Sequence, residues 1–331
     1  MSRLVKLVNF EKNDSQMTPL MKAIKSFHSV SSSGDSLKLE DIKKQRSGQD
    51  LFATLSAPSV NSGIETVAVN VKGIPCEWVR PDHRHDNRHI ILYCHGGGYT
   101  CGSLKYARVI ASKLALCSGM AVMSFEYRLA PENPYPAALD DATTVWNYIM
   151  QLGFGAREVV LIGDSAGGNL ALELSLKIRS QGRIMPKGII LMSPWTDMTI
   201  TGETYNTCKD ADPILTREYI QTCRFSFVGL NNKFNESNAD LKIEDKGFDY
   251  ADPKYSPLYA DFEGFPPVFI QVGSNEILKS DSYNLCDKLV KEGVTVTLEE
   301  YEDAWHVFQM LPFKIASSAM DSIAHFIDEL Y

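Results

Sequence analysis

Several things this 331-residue sequence lacks narrow its function before any motif is read. No apolar run approaches 18 residues, the length a helix needs to cross a bilayer, so no integral membrane segment is expected. The opening "MSRLVKLVNFEKNDSQ" is too broken by charge to be the apolar core of a signal peptide, and it is expected to fold as an amphipathic helix on the protein's own surface. Positive charge is not in excess. Against 33 Lys and Arg stand 41 Asp and Glu, interspersed, for a net charge of −8. That argues against nucleic acid as partner, because binding a phosphate backbone needs a basic surface to release counterions. Low-complexity tracts and internal repeats are absent, and 44% hydrophobic with 22% charged residues is ordinary for a globular protein. None of the seven cysteines (76, 94, 101, 117, 208, 223 and 286) forms a CxxC pair or a zinc-like spacing. Reduced thiols and a cytoplasmic protein are the expectation.

What is present is an alternation of short apolar runs with helical patterns. The strand candidates are "HIILYCH" (89–95), "MAVMSFEY" (120–127), "EVVLIGD" (158–164), "GIILMSP" (188–194), "PVFIQVG" (267–273) and "VTVTLEEY" (294–301). Helical stretches fall at 103–118, 136–151, 168–181 and 279–292. Continuous rather than alternating apolar strands imply burial on both faces, hence an α/β protein with a mostly parallel sheet. Before these, "ETVAVNVKGIPCEWVRP" alternates, with Lys72-Gly73 as a hairpin turn. "DHRHDNRH" holds three histidines, but no fixed Cys/His/Glu geometry accompanies them and a solvated loop is the reading. "SVSSSGDS" near the start is also a loop. Between "SPWTD" and "PPVFIQV" the spacing breaks for an insertion that includes "NNKFNESNAD". An insertion of that size at a strand end usually covers a site. The expected organisation is an N-terminal cap segment (1–60), a first part of the core (61–196), a cap insertion (197–255) and a second part of the core (256–331).

Three constellations carry chemistry. "GDSAG" sets Ser165 between an apolar strand and a helix, with Gly163 and Gly167 to either side. This is the Gly-x-Ser-x-Gly nucleophile elbow, in which a strained turn lifts the hydroxyl above the sheet and the N–H of Ala166 faces the reacting oxygen. The competing reading is a serine that caps the helix. "YCHGGGYTCGS" (93–103) puts three glycines after a strand, which suits backbone N–H groups aimed into a cavity as an oxyanion hole, each such donor worth about 3 kcal/mol in the transition state. A phosphate-cradling loop would need a lysine and Ser/Thr that are missing here. The base must follow the nucleophile in the order Ser…acid…His. His28, His83, His85 and His89 come too early, His95 belongs to the glycine loop and His325 lies in the last helix, which leaves His306 in "YEDAWHVFQ". For the acid, "QVGSNEILKSD" offers Glu276 and Asp281, and Asp303 is near His306 in sequence. Glu276, just past the apolar run, is favoured over Asp281 to receive the imidazole N–H.

Together these residues closely resemble the hormone-sensitive lipase family of α/β-hydrolases, the bacterial-type esterases of the GDSAG branch. The resemblance spans most of the chain from about residue 90: "HGGGY", "EYRLAPENPYPAALDD", "GDSAGGNLA", "SPWTDMT", "DPILT", "SPLYADFEGFPPVFIQVGSNEIL" and "AWHVF". It implies the α/β-hydrolase fold, a mostly parallel central sheet flanked by helices, with a helical cap built from the N-terminus and the insertion. It implies a serine carboxylic ester hydrolase acting on a small-molecule ester without metal or cofactor. Ser165 would be the nucleophile and His306 the base; Gly97, Gly98 and Ala166 would supply oxyanion N–H groups, with His95 and Gly96 shaping the loop. The acid departs from the commonest pattern: Glu276-Ile277-Leu278 stands where many members have Asp-Pro-Leu, and aligning the leucines again selects Glu276. "HVF" replaces the usual "HGF" after the base. Asp140 and Asp141 are assigned loop-holding roles. Tyr99, Tyr127 and Trp195 are open between pocket lining and packing. A cap of two separated segments implies a confined pocket and short acyl chains. The same constellation would serve a deacetylase or amidase of a specific sterol, sugar or xenobiotic. A non-catalytic receptor, such as the plant gibberellin receptor that resembles this family, lacks the histidine that is present here as His306. Homo-oligomer formation stays open.

Overall fold

The apolar run ending at Asp164 forms strand β6 (Val159–Asp164), in which every residue is buried. Val159 and Leu161 face one hydrophobic cluster while Val160 and Ile162 face another. A strand wedged between two apolar layers needs no polar alternation, which is why this run reads as continuous. The computed structural model describes residues 4–8, 42–50, 62–83, 85–230 and 247–331.

Around β6 the sheet is built from β1 (Leu4–Val8), β2 (Ile64–Val71), β3 (Ile74–Pro81), β4 (Asp86–Cys94), β5 (Met120–Phe125), β7 (Gly188–Met192), β8 (Val268–Gly273) and β9 (Val296–Tyr301). The nine strands lie in the order β1-β9-β8-β7-β6-β4-β5-β3-β2. All pairings are parallel except β2 with β3 and β3 with β5. The β2–β3 hairpin turns at Lys72 and Gly73, with φ of 53° and 94°. Positive φ at both central residues matches the right-handed strand twist, and the Gly73 N–H is held by Asn70 Oδ1 at 2.8 Å.

The first helix among the described residues, α1, is described over residues 42–50. Then follow α2 (Leu104–Ser118), α3 (Ala137–Gln151), α4 (Ala166–Ser180), α5 (Thr204–Thr207), α6 (Arg217–Phe227), α7 (Lys279–Lys291) and α8 (Lys314–Leu330). Helix α2 starts where the Ser103 hydroxyl accepts the Tyr106 N–H and stops at Gly119 in the left-handed region, as capping preferences demand. Helices α3, α4 and α7 pack on one face of the sheet, α2 and α8 on the other. Among the described residues no helix is long and apolar enough to cross a membrane.

The structure departs from the sequence reading at the N-terminus. Residues Leu4–Val8 form an edge strand paired in parallel with β9, Leu4 opposite Thr297 and Val8 opposite Tyr301, where a surface helix within the cap segment was expected. A free sheet edge offers these residues a row of backbone hydrogen-bond partners that a helix on the surface would leave unused. Of the insertion, residues 197–230, which include α5 and α6, and residues 247–255 are described. The "NNKFNESNAD" stretch and the "SVSSSGDS" loop lie outside the described residues.

Because β4, β6, β7, β8 and β9 all run the same way, the loops leaving their C-terminal ends share one edge of the sheet. Open α/β sheets carry their sites at that edge, and the "HGGGY", "GDSAG", "SPW", Glu276 and His306 segments all leave from it.

Candidate active site

Ser165 joins β6 to α4 with φ 54° and ψ −122°, and its hydroxyl makes no capping bond to the helix it precedes. The capping alternative is therefore removed. A residue with a side chain is rarely found at that backbone conformation, and what allows it is missing bulk around it. A Cβ on Gly163 would fall 2.2 Å from the Gly167 carbonyl oxygen, and one on Gly167 would fall 2.1 Å from the Cys94 carbonyl oxygen of β4. The turn is tied to its neighbour: Ser165 N–H donates to Met192 O at 2.9 Å, and Trp195 N–H donates to Ser165 O at 3.0 Å.

The glycine loop after β4 lies against this turn. Gly97 and Gly98 have φ of 113° and 61°. The Gly97 carbonyl receives the N–H groups of Thr100 and Cys101 at 3.1 and 2.9 Å. Within the described residues no hydrogen bond is donated by the N–H of Gly97, Gly98 or Ala166. Gly96 N–H instead donates to Asp164 Oδ1 at 2.8 Å, which also accepts from the Tyr93 hydroxyl at 2.6 Å. His95 is buried, hydrogen-bonded through Nδ1 to Gly96 O at 2.8 Å and stacked on Tyr127 at 4.2 Å. Two helices, α1 and α6, reach this loop. Arg46 of α1 donates to Thr100 O at 2.7 Å and Ala130 O at 2.9 Å while pairing with Glu132. Helix α6 brings Cys223 so close that a Cβ on Gly98 would fall 2.5 Å from its sulfur.

His306 follows β9 and Glu276 follows β8. His306 Nε2 lies 2.9 Å from Ser165 Oγ, and its Nδ1 lies 2.9 Å from Glu276 Oε2. The other carboxylate oxygen of Glu276 accepts from Ser193 Oγ at 3.0 Å and from the Gly273 N–H. Ser193 Oγ in turn accepts the Val307 N–H at 3.2 Å, which ties the residue after the histidine to the acid. Glu276 is wholly buried. Asp281, the alternative acid, spends its Oδ2 on the N–H groups of Thr196 and Asp197, both at 2.9 Å. Asp303 is exposed.

A family model described as the alpha/beta hydrolase fold matches residues 91–310. An esterase of Acinetobacter venetianus is 36% identical over 243 residues, 73% of this chain and 75% of the esterase. An acetyl-hydrolase of Streptomyces hygroscopicus is 33% identical over 260 residues, 78% of this chain and 79% of the other. The crystal structure of a hormone-sensitive lipase from a metagenome library matches with a TM-score of 0.82 at 30% identity, over 95% of this chain and 98% of that one. The chain belongs to the hormone-sensitive lipase family of α/β hydrolases.

In this hormone-sensitive lipase relative the electrostatics centre on the histidine. Burial alone would lower the His306 pKa, but its hydrogen bond to Glu276 and the charges of Glu276, Asp212 and Asp164 outweigh that and hold it above the ordinary 6.5. Burial pushes the Asp164 carboxyl up to about 6, against the opposing pull of Tyr93, Gly96 N–H and His306. Asp281 is driven well above the usual carboxylate range by burial and then by Asp197, so its surroundings disfavour the charged form. His95 is pushed down to about 4 by burial, which keeps it neutral in its stack. Among the described residues no group of three His, Cys, Asp or Glu side chains could hold a metal ion. His89 of the histidine-bearing segment pairs with Asp86 at 2.6 Å and packs at a tilt against the Tyr331 ring.

The aromatic residues left open in the sequence are packing groups: Tyr127 supports His95, Tyr99 stacks on Phe227 of α6 at 3.9 Å, and Trp195 is 2% exposed. Asp141 holds the loop at Arg128, accepting from its guanidinium and its N–H at 2.8 Å, whereas Asp140 pairs with Lys177 at 3.0 Å and joins α3 to α4 instead of supporting a loop. Residues around the site that sequence reasoning missed are Asp164, Ser193, Asp212 and Arg46. The signal available was that "GDSAG", "SPW" and "DPILT" each hold a polar residue inside an otherwise apolar block; Arg46 had none.

The glycine at 167 gives a direct check of this packing. Gly167→Ala forces a methyl group against the β4 backbone and is expected to destabilise the fold by about 1–3 kcal/mol in urea denaturation. Parent-like stability would show that the turn has room the structure does not have.

Proposed function

We propose that this carboxylesterase-type hydrolase cleaves carboxylic esters of short acyl chains by two-step acyl transfer, with Ser165 as nucleophile, His306 as general base and acid, and Glu276 as the group that orients His306. The observation that carries the reading is the unbroken chain Ser165 Oγ–His306 Nε2 and His306 Nδ1–Glu276 Oε2, both contacts at 2.9 Å. In the first step Ser165 Oγ bonds to the ester carbonyl carbon while His306 takes its proton. The carbonyl oxygen becomes an oxyanion among the N–H groups of Gly97, Gly98 and Ala166. His306 then gives the proton to the departing alkoxide oxygen, and the alcohol leaves an acyl-Ser165 ester. Water, deprotonated by His306, attacks that ester, and the proton returned to Ser165 Oγ releases the carboxylic acid. The oxyanion assignment is supported by N–H groups that have no partner within the described residues.

A small acyl group is favoured by the walls of the site. Cys223 of α6 stands over Gly98, and Ser165 and His306 are only 8% and 7% exposed. The relationship to a named acetyl-hydrolase points to the same end of the size range. The cap would be built from the N-terminal segment and the insertion, as α1 and α6 on the glycine loop support. Buried thiols scattered through the core suit a reducing compartment, so the cytoplasm is the proposed location.

Four measurements test the reading. Ser165→Ala is expected to cut turnover of p-nitrophenyl acetate about 10⁶-fold, and near-normal turnover would overturn it. Glu276→Ala should cost roughly 10⁴-fold in kcat, whereas Asp281→Ala, which strips acceptors from the Thr196 and Asp197 N–H groups, should act mainly on stability; the reverse ranking would transfer the acid role. The base must be neutral to accept a proton, and its carboxylate neighbours raise its pKa. The acid limb of kcat/KM is therefore expected to have a midpoint above 6.5, rate falling as pH drops through it; a midpoint below 6.5 would contradict the assignment. Across p-nitrophenyl esters from acetate through butyrate to laurate, kcat/KM should be highest at the short end, and a maximum at laurate would remove the short-chain proposal.

A further inference from the structure

One buried carboxylate beside the site has no part in the mechanism above. Asp212 belongs to the "DPILT" segment of the insertion, between α5 and α6, and is 3% exposed. Its Oδ1 accepts the N–H groups of Ile214 and Leu215 at 2.8 and 2.9 Å, which anchors the carboxylate to its own loop. Its Oδ2 accepts the N–H of Ile277 at 2.9 Å, and Ile277 is the residue after Glu276. The insertion also grips the other side of that residue: Thr204 Oγ1 of α5 donates to Ile277 O at 2.6 Å and accepts the Ser280 N–H at 2.9 Å. This approach is close enough that a Cβ on Gly202 would fall 2.1 Å from Ser280 Oγ. The carboxylate of Glu276 is thus fixed by the core, through Ser193 and Gly273, while the backbone beside it is fixed by the insertion.

We infer that Asp212 is a positioning residue for the triad, holding the Glu276 loop in register through Ile277 and adding a buried carboxylate to the field of His306. The inference rests on the triad reading of Ser165, His306 and Glu276. Burial pushes the Asp212 carboxyl up to about 6, opposed by His306 and by the N–H groups of Leu215, Ile277 and Ile214, which favour its charged form. The carboxylates that act most strongly on His306 are Glu276, Asp212 and Asp164. Removing one of them leaves burial less opposed and lowers the histidine pKa.

The test compares Asp212→Asn and Thr204→Val in the full chain, with p-nitrophenyl acetate as substrate and near-UV circular dichroism as the check of folding. Asp212→Asn is expected to lower kcat about ten- to a hundredfold through misplacement of Glu276, with KM changed less than about twofold. Its acid limb in kcat/KM should move to lower pH. Thr204→Val loosens the same peptide without removing a charge; kcat should fall while the acid limb stays in place, and Thr204→Ser should restore kcat. Parent-like kcat with an unmoved acid limb in Asp212→Asn would overturn the inference. So would a fall in kcat that matches the fraction of unfolded protein. Fluorophosphonate labelling of Ser165 in the parent separates the two readings. A parent that is not labelled refutes the triad itself, whereas a labelled parent with an indifferent Asp212→Asn refutes only the role of Asp212.

Discussion

The backbone of Ser165 sits at φ 54°, a conformation that costs on the order of 1–3 kcal/mol and persists only where its surroundings over-determine it. Those surroundings are three strands wide. From β4 the Cys94 carbonyl closes on Gly167; β6 leads into the turn; Met192 O of β7 takes the Ser165 N–H. Relaxing the serine would therefore mean moving the centre of the sheet. The same constraint orders the loops beside it. The β4 loop is held by Asp164, the residue before the serine, through Gly96 N–H, and the β7 loop receives the Ser165 carbonyl at Trp195 N–H. One strained residue thus fixes the relative heights of the segments that surround the reacting atoms.

The proposed acid is one of two buried carboxylates that are close in sequence, and the fold employs them differently. Glu276 and Asp281 are both buried, yet their oxygens have different employment. Asp281, in the first turn of α7, is consumed by two backbone N–H groups of the β7 loop. Glu276 leaves β8 one turn earlier and gives one oxygen to His306, while Ser193 and Gly273 hold the other. A glutamate reaches one methylene further than the aspartate many members of the family carry, and a longer side chain has more rotamers to lose. Fixing one oxygen from the core removes that freedom and leaves the second oxygen a single direction in which to act.

What could be read from the sequence was whatever a short stretch encodes by itself. Glycines bracketing Ser165, the triplet after β4 and the position of His306 after the last strand announce their geometry locally, and the continuous apolar strands announce a two-faced sheet. The hairpin at Lys72-Gly73 was legible for the same reason, since positive φ at two adjacent residues is a local demand. Residues whose role depends on register between distant segments were not legible. Ser193 matters because β7 and β8 are neighbours, Asp164 because β4 lies beside β6, and Arg46 because α1 lies on the glycine loop. The first strand was misread because "LVKLV" has the same apolar content whether it coils or extends. The vacant edge of β9, which decides the matter, is formed some three hundred residues later in the chain.

The distribution of charge around His306 gives the insertion a place in the proposed chemistry. In the proposed acyl transfer the imidazole would gain a positive charge as the carbonyl oxygen gains a negative one, and buried charges interact far more strongly than exposed ones. Three carboxylates act on that imidazole, and each comes from a different part of the chain: Asp164 from the end of β6, Glu276 from the loop after β8, Asp212 from the insertion. Two are supplied by the sheet common to the fold and one by a segment added to it. The insertion's carboxylate is held by three backbone N–H groups, so it cannot swing away as the charge on His306 appears and disappears. Preorganisation of this kind costs nothing at the moment of reaction because it was completed on folding. Docking of the insertion at Ile277 and the placing of a buried carboxylate near His306 therefore share one residue, since Asp212 takes the Ile277 N–H that Thr204 complements from the carbonyl side.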